Sequence, residues 1–183
     1  MIAGFALERA SKSGAIFDEE KLHWLNAIYI RNCETENLVE RLKPFFEKAG
    51  YETVTIDKKW LNEVVELVKT ELTTLADIGS HIDIFFDDKY EITAEAKQIL
   101  QKESAVQVVK VFVEYLKIAA GNPRENYLAA IKHTKEKTSA KGMELFMPIR
   151  ASLTGKVHGP ELDKVFVILG NDTALKRLKS FGS

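Results

Sequence analysis

The stretch Asp57-Lys-Lys-Trp-Leu-Asn-Glu-Val-Val-Glu-Leu-Val-Lys-Thr-Glu-Leu72 decides the fold. Its apolar residues Leu61, Val64, Val65, Val68 and Leu72 recur at the i, i+3, i+4 and i+7 spacing of a helix face, which the period of two of a strand cannot produce. Asp57 stands where a carboxylate can accept the first free backbone N–H groups. A long helix over 57–71 is expected.

Similar signals extend in both directions. Asp18 caps a helix with Leu22, Leu25, Ile28 and Tyr29 on one face, and Phe17 can pack on Leu22 as a staple. Thr35 caps a second helix bearing Leu38, Val39 and Leu42, which should kink or restart at Pro44 and close at Gly50. Short turns follow around Leu75 to Ile78 and Ile82 to Phe86. Ser104 with Gln107 makes a capping box for a helix over 105–120 that ends at Gly121. Asn122, Pro123 and Glu125 supply the cap, the first-turn proline and the first-turn acid of the next helix, which packs through Tyr127, Leu128 and Ile131. Further helical segments fall at Glu144 to Leu153, Pro160 to Leu169 and Thr173 to Leu178. Only Tyr51 to Ile56 and Val165 to Ile168 hint at strands, and both are short and flanked by helical signals. The fold class expected is all-α: two packed helical subdomains, the first over residues 1–92 and the second, basic one over residues 93–183.

Charge supports that division. The 183 residues carry 26 basic and 27 acidic side chains, but the first half holds a net charge of −7 and the second +6. The segment 124–156 concentrates the excess with seven basic residues (Arg124, Lys132, Lys135, Lys137, Lys141, Arg150 and Lys156) against three acids. Phosphate is its natural counterpart, with a solvated helix face as the alternative.

Other chemistry finds little footing. One cysteine, Cys33, excludes an internal disulfide framework and any multi-cysteine metal site. The histidines His23, His81, His133 and His158 form no i, i+3 or i, i+4 pair, so no metal is expected. Leu153 to Gly159 lacks the glycine spacing and preceding strand of a phosphate loop. Paired acids such as Glu19 and Glu20, or Asp87 and Asp88, fit helix starts and solvated loops rather than acid–base work. The run Ala105 to Ala120 is broken by charges, and Met1 to Arg9 offers no secretion signal, so a cytoplasmic protein without a membrane span is expected.

The segment Lys141-Gly-Met-Glu-Leu-Phe-Met-Pro-Ile-Arg-Ala-Ser-Leu-Thr-Gly-Lys-Val-His-Gly-Pro-Glu-Leu162 resembles the K-G-x-x-L-F-x-P-[LI]-R-x-x-L-T-G-x-x-x-G-P-x-L signature of bacterial glutamyl-tRNA synthetases. Phe5 to Asn26 is similar to the segment that leads, in that family, from the catalytic domain into the anticodon-binding half. The resemblance implies the anticodon-binding region of a glutamate-tRNA ligase, recognising the anticodon loop of tRNA-Glu, with tRNA-Gln as a second partner and a monomer as the expected state. The H-I-G-H and K-M-S-K-S-like motifs are absent, and Ser11-Lys12-Ser13 does not replace them. No catalytic residue and no cofactor are therefore expected in this chain, ATP being used by the catalytic domain it lacks.

The family's pattern also implies the site. Arg150 matches the arginine that contacts the anticodon, where a guanidinium can make two in-plane hydrogen bonds to a base edge; the alternative is a surface ion pair. Gly159, Pro160 and Leu162 match the turn lining the anticodon pocket. Pro160 is expected at the first helical position, and Leu162 either packs a base face or joins the core. Lys141 and Lys156 are the candidate phosphate contacts. Glu71 falls, on the helix of the first half, where discriminating members carry an arginine that reads the third anticodon base, while Lys69 points off that face. A carboxylate there accepts from a base amino group instead of donating. Two other classes remain open: a helical protein-interaction module and a complete small enzyme.

Overall fold

A computed structural model describes residues 18–181. Among the described residues there are nine α-helices and no strand: α1 (Glu19–Asn32), α2 (Thr35–Lys48), α3 (Lys58–Val68), α4 (Ile78–Ile82), α5 (Ala94–Leu100), α6 (Glu103–Leu116), α7 (Pro123–Thr138), α8 (Met143–Thr154) and α9 (Leu162–Lys179). Short 3₁₀ turns at Leu75–Asp77 and Asp83–Phe85 flank α4.

The apolar stripe of α3 is buried as its spacing requires, with Val64, Val65 and Val68 fully covered. Asp57 accepts from the Trp60 N–H at 2.8 Å, and Asp18 caps α1 from Lys21 at 2.9 Å. Asn122 caps α7 through the Arg124 N–H at 2.9 Å, with Pro123 in the first turn. The expected break between the last two helical segments is Gly170, whose φ of 74° and ψ of 167° interrupt α9. The Trp60 indole donates to the Ile168 carbonyl beside that break at 3.2 Å.

Several local expectations yield to tertiary packing. The longest uninterrupted helix is α7, of 16 residues, while the helices expected over 57–71 and 105–120 run for 11 and 14 residues. α3 stops at Val68 because the chain turns there, the Glu71 N–H donating to the Val68 carbonyl at 2.9 Å. α6 begins at Glu103 without a side-chain cap, so no Ser104 box forms, and it ends at Leu116, short of Gly121. α2 starts from Glu34, and Thr35 turns its hydroxyl to Glu66 instead of capping. It also runs through Pro44, a residue that costs about 3 kcal/mol inside a helix; burial of Leu38, Val39, Leu42 and Phe46 holds it.

α1 is the clearest exception to the sequence pattern. It buries Ala27 and Ile30, while Leu22, Trp24, Leu25 and Tyr29 stand exposed. It lies at the edge, tied by the Asn26 amide donating to the Thr73 carbonyl at 2.7 Å. The Phe17 staple lies outside the described residues.

One connected core runs from Ile30 to Leu178. Its largest members include Phe46, Phe112 and Phe166. α2, α3 and α4 pack on one another, α6 to α9 form a second set with α5 against α8, and α3 meets α9 across the seam. Polar groups stitch that seam. The Thr93 N–H donates to the Gly155 carbonyl at 2.9 Å, and the Tyr90 hydroxyl to the Ser152 carbonyl at 2.9 Å. Arg177, 5% exposed, donates to the carbonyls of Ile84 and Leu153 and pairs with Asp87 at 2.9 Å. Its guanidinium lies over the Tyr90 ring, 4.3 Å from the centroid. No helix among the described residues is long and apolar enough to cross a membrane.

Candidate nucleic-acid interface

The seam positions the segment between α8 and α9. α8 ends at Gly155, whose φ of +72° favours glycine, and a Cβ there would stand 2.0 Å from the Glu91 carbonyl oxygen. The chain then turns through Gly159 and Pro160 into α9. Arg150, half-buried on the last turns of α8, donates from Nη1 to the Pro160 carbonyl at 2.9 Å. One helix thereby anchors the turn that opens the next. Burial pushes the Arg150 pKa below its ordinary value, opposed by Tyr127 and by the Glu71 carboxylate, and the guanidinium remains a cation. This pairing with a carbonyl replaces the surface ion pair that the sequence left open.

Other candidates fall in different places. Glu71 is exposed and lies in the turn after α3, not on the helix. Pro160 is buried and precedes the α9 cap residue Glu161 instead of occupying the first helical position, because its carbonyl is drawn to Arg150. Leu162 occupies that position and is 7% exposed within the core cluster, so it offers no face to a base. Lys156 is committed to the seam: its ammonium bonds the Ser80 carbonyl at 2.7 Å and the Asp83 carboxylate at 2.7 Å. That engagement removes it from the free phosphate contacts. Lys141 stands exposed before α8. Gly159 has a φ of +138°, and a Cβ there would meet Arg150 Nη1 at an ordinary 3.7 Å.

A groove of about 1040 Å³ opens between α3 and the first half of α9. Leu67, Pro160, Val167 and Ile168 contribute apolar surface, while Asn62, Thr70, Glu71 and Arg124 add polar groups. The groove thus brings Glu71 together with Pro160, the turn residue bonded to Arg150. Its walls carry more carboxylates than cations, contrary to the basic surface that the charge of the second half implies. Burial raises the Glu66 carboxyl, but hydrogen bonds from Lys69 and Thr35 outweigh this and hold it below the usual range.

The sequence did not single out Asn62, Leu67 or Thr70. Their signal was the second stripe of α3 and the turn after it, where residues 59, 62, 63, 66, 67 and 70 recur at helical spacing away from the buried valines. Among the described residues, no three of His, Cys, Asp and Glu converge as metal ligands.

The model of the anticodon binding domain family matches residues 37–181. The chain is 41% identical over 179 residues to glutamate--tRNA ligase 2 of Syntrophus aciditrophicus, covering 98% of this chain and 37% of that protein. It is 36% identical over 179 residues to glutamate--tRNA ligase of Bacillus subtilis, covering 96% and 37%. The chain therefore spans a little over a third of the length of these relatives. The crystal structure of a glutamate tRNA ligase from Elizabethkingia meningosepticum superposes with a TM-score of 0.79 at 21% identity, covering 96% of this chain and 34% of that one, a likeness of fold. With the helical architecture, the signature segment around Arg150 and a family match from residue 37 to residue 181, the chain belongs to the anticodon-binding domain family.

Proposed function

We propose that the chain binds the anticodon loop of a tRNA, tRNA-Glu in the first place, as the recognition part of an enzyme that attaches glutamate to tRNA using ATP. The observation that carries this reading is the placement of Arg150 and the Gly159-Pro160 turn beside the groove that contains Glu71. Single-stranded loop bases can be splayed out and read on their edges by such groups. Both relatives described above are named as glutamate--tRNA ligases. The alternative of a helical interaction module gains no support from them.

In this reading Arg150 supplies donors to a base edge, Gly159 lets the backbone approach, and exposed Lys141 meets a phosphate. Residues 1–92 and 93–183 act as two helical subdomains, and the groove lies where they meet. Glu71 offers acceptors in place of an arginine's donors, which widens acceptance from tRNA-Glu to tRNA-Gln. The chain acts as a monomer in the cytoplasm.

Fluorescence anisotropy with a labelled anticodon stem-loop of tRNA-Glu tests this. Binding at least about ten-fold tighter than to a hairpin with a scrambled loop is expected, the scale of one good base contact. Equal affinity for the two hairpins overturns it.

A further inference from the structure

The groove between α3 and α9 poses an electrostatic problem for a polyanion. Its lining holds three cations, Lys59, Lys164 and Arg124, and twice as many carboxylates. Two of these cations are already engaged on their own side of the groove. Lys59 faces Glu63 one turn along α3 at 4.0 Å, and Lys164 pairs with Glu161 at the start of α9 at 3.0 Å. Arg124 has no ion pair or side-chain hydrogen bond among the described residues. It is exposed, and its root is rigid: Asn122 caps the turn through the Arg124 N–H, and Pro123 fixes the backbone before it. The first turn of a 16-residue helix adds a favourable dipole for an anion at the same place.

We propose that Arg124 is a phosphate-binding residue of this groove, holding the backbone of the loop nucleotide whose base enters between α3 and α9. In a net-negative groove the cation without a carboxylate partner is the one best placed to meet a strand's phosphate, and among the lining cations Arg124 has none whereas Lys59 and Lys164 each face one. Glu71, lining the same groove, is left to face a base, since a carboxylate repels phosphate and accepts from amino groups. This assignment rests on the anticodon-loop reading, and the experiment separates the two.

Anticodon and scrambled hairpins are titrated with the 183-residue chain between about 50 and about 200 mM salt. Arg124→Ala is expected to weaken both hairpins by a similar factor, roughly ten-fold for one charge-assisted hydrogen bond. It should also flatten the slope of log affinity against log salt by ~0.7, the increment for one single-strand phosphate. Arg124→Lys should keep the slope, and Lys59→Ala and Lys164→Ala should change it less than Arg124→Ala does. An unchanged slope with unchanged affinity overturns the assignment, as does a loss confined to the anticodon hairpin, which would make Arg124 a base reader. A wild-type chain that binds both hairpins equally sinks the anticodon reading instead, and the phosphate contact is then decided by the Arg124→Ala slope alone. Arg124→Ala removes no intramolecular side-chain bond, so its circular-dichroism spectrum should match wild type.

Discussion

Arg150 on α8 donates to the carbonyl of Pro160, 2.9 Å away, at the turn into α9. The bond uses one face of a guanidinium that carries five N–H donors, so the same side chain can hold the turn and present donors elsewhere. In the proposed function, one residue serves both position and recognition.

Replacing that residue should therefore separate two effects. Arg150→Ala is expected to cost roughly 1–3 kcal/mol in binding the anticodon hairpin and far less for a scrambled one. Hairpin titration checks this; equal losses for both loops would leave Arg150 with only its structural bond.

The role proposed for Glu71 sets a second contrast. The glutamate and glutamine anticodons differ at the third base, cytosine against guanine. Wild type is expected to bind the two hairpins within about one to two orders of magnitude of each other, and Glu71→Arg should shift the balance toward cytosine by roughly 1–3 kcal/mol. Competition between two differently labelled hairpins reads the ratio directly, and a ratio unmoved by the substitution would show that the third base is read elsewhere.

Gly155 tests the seam. With φ at +72° and the Glu91 carbonyl oxygen 2.0 Å from an added Cβ, Gly155→Ala combines left-handed strain with a backbone clash. A destabilisation on the order of 2–4 kcal/mol is expected in urea unfolding. A midpoint within error of wild type would mean that the two backbones separate without cost.

Asp87 gives the acid dependence its sign. Hydrogen bonds from Lys176, then from Arg177, hold its native carboxyl below the ordinary 3.8. In the unfolded chain the group takes up a proton near 3.8, while in the native state it stays ionised to lower pH. Its contribution is therefore complete above 3.8 and is lost as pH falls through the depressed native value. Urea midpoints measured from about pH 6 to about pH 3 should fall less steeply at the acid end for Asp87→Asn than for wild type. Parallel curves would remove Asp87 from the linkage.

Arg177 should be the costlier end of the same pair. Arg177→Met leaves the Ile84 and Leu153 carbonyls without their donor in the core, for a loss of roughly 2–4 kcal/mol in stability. Arg177→Lys, which keeps the charge but not the fork, should recover only part of it. Full recovery by lysine would show that charge alone secures the seam.

What the sequence determined by itself is local and periodic. The valine stripe of α3, the Asp18, Asp57 and Asn122 caps and the break at Gly170 follow from interactions within a few residues, so they were legible without a partner. The signature segment likewise pointed to Arg150 and the Gly159-Pro160 turn, because its residue order is carried by the chain itself. Tertiary structure decided which of several suitable residues met a distant neighbour. Lys156 looked like a free cation until Asp83, 73 positions away, took it; Leu162 could have faced a base until the core covered it. α1 turned Leu22 and Leu25 outward because nothing among the described residues covers that face, whereas the buried face of α2 carried its helix through Pro44. The groove, with Glu71 on one wall and Arg124 on another, exists only once α2, α3, α7 and α9 pack, since its residues lie up to 133 positions apart, from Thr35 to Ile168, and no local signal joins one wall to another.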